Sequence, residues 1–164
     1  NKPISYGRTF TTNKATRVAV LPLGYADGYN RLLSNTGHVM VKSIQKSMKS
    51  MRSRKVDEKY KFNKAELFTN THEDSDDTVT VYHKCKILGR VCMDLFMVDV
   101  SDVPHPVVGD EVTLLGNGIP AEEMAQQIDT IPYEIVTSIS SRVPRKYIDS
   151  DKEGNDHVLD FLNK

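Results

Sequence analysis

The chain is 164 residues long, a length that suits one domain able to bury a sizeable core. Basic and acidic residues number 22 each, and with 38% hydrophobic and 27% charged residues the composition excludes disordered and fibrous classes and any whole-chain attraction to nucleic acid or an anionic membrane. Charge is divided unevenly: residues 1–82 hold 14 basic and 8 acidic side chains and 83–164 the reverse, so a local basic surface belongs to the first half.

No apolar run approaches the roughly 20 residues that span a bilayer. Cys85 and Cys92 are the only cysteines, too few for a disulfide framework and spaced unlike a zinc or redox motif, which points to a reducing cytoplasm. The chain opens on Asn1 with no charged-then-apolar leader, and the expectation is a domain cut from a longer protein.

In chain order, Arg17 to Gly24 (RVAVLPLG) is β-branched and apolar, with Pro22 suited to the end of a strand. Tyr25 then stands where the strand gives way to an Asp27-Gly28 turn, since Gly tolerates positive φ. His38 to Val41 reads as a second strand. Between Lys42 and about Tyr82 the composition shifts. Residues 42–56 carry six basic side chains and no acid, while 73–77 read Glu-Asp-Ser-Asp-Asp, and this stretch is read as an insertion. Lys86 to Val100 predicts two buried strands broken near Gly89 or Asp94. A strand over Glu111 to Leu115 follows two turn signals, and Gly116-Asn117-Gly118 closes it. Ala121, Met124, Ala125 and Ile128 repeat at helical spacing behind Pro120, with Glu122 and Glu123 complementing the helix dipole. Glu134 to Ser140 alternates as a strand, Arg142 to Ile148 is expected to complete the sheet, and 149–164 forms a charged tail. Short strands with frequent turns and one clear helix predict a mostly β domain, barrel or sandwich-like.

Several features carry candidate chemistry. His72, Glu73, Asp74, Asp76 and Asp77 are oxygen-rich, but Val79 and Cys85 stand where a calcium loop needs Gly and Glu, so a solvated loop is the better reading and no metal is expected. Val41, Ile44, Met48 and Met51 would stripe a basic amphipathic helix, read as lying on its own domain. Tyr25, between Gly24 and Ala26, has an uncovered phenol at a strand end, where scaffolds present reactive groups. A tyrosine serves as a general base only where positive charge lowers its usual pKa of about 10, so from spacing alone a structural tyrosine is the simpler reading.

Four stretches read together change that balance: LPLGYADGYNRLLSNTGHVMV (21–41), KILGRVCMDLFMVDVSDVP (86–104), VGDEVTLLG (108–116) and DTIPYEIVTSISSRVPRKYI (129–148). In order and spacing they resemble the carboxy-terminal domain of alanine racemase, the pyridoxal-phosphate enzyme that makes D-alanine for bacterial cell walls. The resemblance covers about two thirds of the chain, roughly residues 4–41 and 84–148, and implies a mostly β domain over 1–148 with one or two short helices and an insertion at about 42–82. It also implies a (β/α)8 barrel bearing the cofactor lysine, which these residues do not contain, and a head-to-tail homodimer in which each β domain covers its partner's barrel mouth.

By that resemblance Tyr25 of GYADG is the base that removes the α proton of L-alanine, opposite the barrel lysine. Tyr133 of IPYEI corresponds to the tyrosine that hydrogen-bonds the cofactor phosphate, and Met93 of VCMD to the residue whose backbone N–H meets the substrate carboxylate. Arg90 and Ile131 correspond to residues lining a narrow access corridor, with Asp94 beside it. Apart from the resemblance, Met93 and Ile131 read as core, and Arg90 with Asp94 as a local ion pair. The expected whole is a cytoplasmic alanine racemase whose isolated β domain is inactive. Two rivals are a non-catalytic interaction module of the same fold and a racemase of serine or another small amino acid.

Overall fold

The computed structural model describes residues 1–46 and 78–146. Among them, β1 (Pro3–Ile4) and β2 (Phe10–Thr11) pair as a small antiparallel ribbon. The main sheet joins β3 (Val18–Leu21), β4 (His38–Lys46), β5 (Thr78–Leu88), β6 (Phe96–Asp99) and β7 (Val112–Thr113) in the spatial order β3-β6-β5-β4-β7, every neighbour antiparallel. Two short helices follow, α1 (Ala121–Gln127) and α2 (Pro132–Thr137), packed on each other. The fold is mostly β, as expected.

The sheet is staggered because β5 changes partner along its length. Thr78–Lys86 pairs with β4, and Ile87 and Leu88 then pair with Val98 and Met97 of β6. The alternation of β6 buries Phe96 and Val98, and Phe96 stacks on Tyr29 with ring centroids 4.8 Å apart. These residues form one core with Leu33, Val39, Val41, Ile87 and Val91, closed by Met124 and Ala125 of α1 and Ile135 of α2. Edge strand β3 leaves Val18 and Val20 exposed, and Pro22, which has no N–H to donate, follows its last residue.

Several expectations need correction. Strands β4 and β5 run on into the stretch read as an insertion: Lys42–Lys46 and Thr78–Tyr82 continue the register of the hairpin without a break. Ser43, Ile44 and Gln45 face Val81, Thr80 and Val79, a β-branched ladder that basic flanking residues obscured in the sequence. For the same reason Val41 and Ile44 do not share a helix face; on a strand their odd separation puts them on opposite sides, 3% and 71% exposed. Met48 and Met51, with the acidic run His72 to Asp77, lie outside the described residues.

Third, the predicted strand from Glu134 is instead α2. Pro132 occupies the first turn, Ile131 at the N-cap is extended, and the Thr130 hydroxyl contacts the Glu134 carboxylate of that turn. The β-branched and hydroxyl residues are accommodated because Thr137 and Ser138 return hydrogen bonds to the Tyr133 and Ile135 carbonyls, while Ile135 is buried in the core. Fourth, residues 142–146 add no strand; Arg142 turns instead to carboxylates on other loops, and 147–164 lie outside the described residues. The strand expected over Glu111 to Leu115 is reduced to β7.

Candidate functional site

The turn after β3 is built by two glycines at which backbones press together. Tyr25, Ala26 and Asp27 form a single 3-10 turn, and the amides of Tyr25 and Ala26 donate to the carbonyls of Cys92 and Met93, both at 3.0 Å. A Cβ on Gly24 would stand 2.1 Å from the Cys92 oxygen, so no side chain fits there. Gly28 has φ of 100°, and a Cβ would lie 2.2 Å from the Ser138 carbonyl oxygen. The Asp27 carboxylate accepts from the Gly24 amide at 2.8 Å, closing the turn on itself.

The segment leaving α2 completes the cluster. Ser138 Oγ donates to the Gly28 carbonyl at 3.1 Å, and the Ser140 amide donates to the Asp27 carbonyl at 3.0 Å. Three stretches far apart in the chain are thereby tied together: the Tyr25 turn, the Cys92–Asp94 turn and the end of the helix whose first turn carries Tyr133.

Side chains on this cluster are presented to solvent. Tyr25 is 47%, Met93 52%, Ile131 60% and Tyr133 76% exposed. Met93 and Ile131 are therefore not the core residues that hydrophobicity alone suggests. Among the described residues, neither the Tyr25 nor the Tyr133 hydroxyl nor the Met93 amide makes a hydrogen bond, so three donors stand uncommitted. Tyr29 is the contrasting case. Its ring is stacked in the core, its hydroxyl reaches the His38 carbonyl at 3.5 Å, and burial pushes its phenol well above the ordinary tyrosine range.

Asp94 does not pair with Arg90. Its carboxylate receives Arg142 Nη2 at 3.0 Å, and Arg142 Nε lies 3.6 Å from the second oxygen of Asp27. Partly buried Arg90 lies instead against Gly7, its Nε 3.3 Å from where a Cβ would sit. Arg142 was not singled out by the sequence, because its partners are remote in the chain and its own segment read as strand. The only signal was a basic residue seven positions beyond the IPYEI motif.

Other titratable groups belong to the sheet. The Cys85 thiol is pushed up to about 12, chiefly by burial and then by Asp99 and Asp102, which makes it a poor nucleophile. Burial lowers the His83 pKa, with Asp102 opposing, and His83 Nε2 lies 2.8 Å from Ser43 Oγ. Among the described residues no three His, Cys, Asp or Glu gather as a metal site would require, and no helix is long and apolar enough to cross a membrane. An open apolar cleft of about 400 Å³ between Pro22, Leu23, Leu115, Met124 and Ile139 has Asp27 and Arg142 on its wall, but not Tyr25, Met93 or Tyr133.

A family model described as "Alanine racemase, C-terminal domain" matches residues 1–51 and 66–147, so that within the matched span only 52–65 are left over. An alanine racemase of Halothermothrix orenii is 40% identical over 148 residues, covering 88% of this chain and 29% of the relative. One from Clostridium perfringens is 38% identical over 164 residues, covering 98% and 31%. Among solved structures, the alanine racemase of Streptomyces coelicolor aligns with a TM-score of 0.59 at 33% identity, covering 87% of this chain and 28% of that one. That of Bartonella henselae, with covalently bound pyridoxal phosphate, aligns with a TM-score of 0.61 at 30% identity, covering 90% and 30%. The chain thus spans about 29% of the length of the curated relatives it matches.

Proposed function

Since the chain belongs to the alanine racemase C-terminal domain family, we propose that it supplies one half of an alanine racemase active site, with Tyr25 as the base for L-alanine. The observation that carries this reading is the Tyr25 phenol, uncommitted and exposed on a turn that backbone hydrogen bonds hold against the Met93 turn. Racemisation needs two bases. A single base returns the proton mostly to the face it left, whereas groups on opposite faces invert the centre.

Pyridoxal phosphate, when bound, makes the α proton of the amino acid acidic by drawing electrons into its pyridine ring. The residues here fit that partner. Tyr133 would offer an uncommitted hydroxyl to the cofactor phosphate, and the Met93 amide would offer a donor to the substrate carboxylate. Tyr25 would remove the α proton of L-alanine from one face while a lysine of the barrel protonates the opposite face, and the two would exchange roles in the reverse direction. Arg90, Asp94 and Ile131 border the access corridor. Exposure of Tyr25, Met93, Ile131 and Tyr133 together is what a domain covering a partner's barrel mouth in a head-to-tail homodimer requires, and the enzyme would work in the cytoplasm on D-alanine for peptidoglycan.

The test is Tyr25→Phe in the polypeptide that joins this domain to its barrel. Washout of α-deuterium from L-alanine should slow at least about 10²-fold, the usual scale for a lost general base, with a smaller effect on D-alanine. A loss below about threefold would remove Tyr25 from the role. The 164 residues alone should show no racemase activity, and borohydride reduction with the cofactor should not label any one lysine stoichiometrically.

A further inference from the structure

Two carboxylates converge on one guanidinium at the junction of the two turns. Asp27 lies two residues after Tyr25, and Asp94 one residue after Met93. Arg142 reaches Asp27 through Nε at 3.6 Å and Asp94 through Nη2 at 3.0 Å. Asp27 is held on its other oxygen by the Gly24 amide, so the carboxylate cannot turn away without opening the turn that carries Tyr25. Arg142 is itself seated, its amide donating to Ser140 Oγ at 3.2 Å while the Ser140 amide donates to the Asp27 carbonyl.

We propose that Arg142 is a positioning residue for the racemase reaction: by bridging Asp27 and Asp94 it reinforces the register that the Tyr25 and Ala26 amides set between the Tyr25 turn and the Met93 turn. The inference deepens the reading above and rests on it. Two arguments favour registration over stability. Arg142 and Asp94 are both about half exposed, and ion pairs so placed contribute little to folding. Without the guanidinium, however, two carboxylates share a space with nothing between them, and their repulsion pushes apart the turns that present the base and the substrate-binding amide. An arginine suits this because one rigid guanidinium donates through Nη2 to Asp94 while its Nε side faces the Asp27 carboxylate, which a lysine ammonium on a flexible stem does not reproduce.

The experiment uses the full polypeptide with its barrel and reads the ratio of α-deuterium washout from L-alanine to that from D-alanine, beside the melting temperature. For Arg142→Ala the ratio should fall about tenfold, the order expected when a reacting group is displaced by less than an ångström or so, while melting stays cooperative. Adding Asp94→Asn to Arg142→Ala should recover part of that loss, because the repulsion is relieved, and Arg142→Lys should lie between parent and Arg142→Ala. A residue that merely stabilised the fold would lower melting without moving the ratio or producing recovery.

An active parent whose ratio is unchanged in Arg142→Ala overturns the inference and leaves the racemase reading intact. If Arg142→Ala does not fold, Arg142→Lys decides in the same way. A parent that exchanges neither enantiomer, or one whose Tyr25→Phe variant keeps full L-alanine exchange, overturns the functional reading and this inference with it.

Discussion

The β4–β5 hairpin and the cluster around Tyr25 are built on opposite plans. The hairpin holds nine consecutive register pairs between neighbouring strands, burying Val39, Met40 and Val41 on β4 and Val81 and Cys85 on β5 and leaving its other positions more open. The cluster has no regular ladder. Three turns from remote parts of the chain meet through a few backbone hydrogen bonds and through glycines where a single methyl group has no room. The hairpin therefore depends on pattern, while the cluster depends on backbone clearance at particular atoms.

The largest effect expected from breaking this contrast is on the core that both regions share. Phe96→Ala removes a fully buried ring that stacks on Tyr29, just beyond the Tyr25 turn, and should cost about 3–5 kcal/mol in chemical denaturation. If the ratio of L- to D-alanine washout moves with it, the site is less independent of the sheet than its exposure implies. Gly24→Ala comes next. Its Cβ must displace the Cys92 or Met93 carbonyl, and with it Tyr25, so racemisation should slow on the order of 10²-fold. Rates within about threefold of the parent would show that the clearance is not critical.

The hairpin gives a sharper, smaller test. Replacing 47–77 with an Asn-Gly turn keeps every register pair and should leave a cooperative melt no lower than the parent's. Extending the cut to 42–82 removes five of the nine pairs and buried Val81, and should lower stability by about 2 kcal/mol. Equal melting of the two deletions would deny the extended strands a structural role. The smallest effect concerns pH. Burial lowers the His83 pKa, so between the folded value and about 6.5 the unfolded chain binds the extra proton and the folded state does not. Stability from this group is full above about pH 6.5 and declines as pH falls toward the folded value; His83→Gln should flatten that decline in thermal melts from pH 7.5 to 5.5.

Much of the fold was legible where local pattern and burial agree. The strand ending at Leu21, the two buried strands on either side of Gly89 and Asp94, and α1 after Pro120 all lie close to their expected places. Failures cluster where a neighbour decides. Residues 134–140 alternate like a strand, yet the Pro132 start and the burial of Ile135 against the core make them a helix. Lys42–Lys46 looked like the start of a solvated insertion, yet the partner that pairs with it lies beyond residue 77, out of reach of any local window. At the site, GYADG, VCMD and IPYEI lie on segments that the fold brings together, but nothing in these motifs marks the Arg142 bridge that joins two of them.

The sequence by itself determined the family, the mostly β class and the uncovered phenol of Tyr25, because those follow from motifs, alternation and turn chemistry carried by consecutive residues. Only the tertiary structure decided which glycines are indispensable, that Tyr29 is core while Tyr25 is presented, and that Asp27 and Asp94 share one arginine. The reason is physical: clearance, burial and charge pairing are properties of atoms brought together by the fold, and their partners here stand tens of residues apart in the chain.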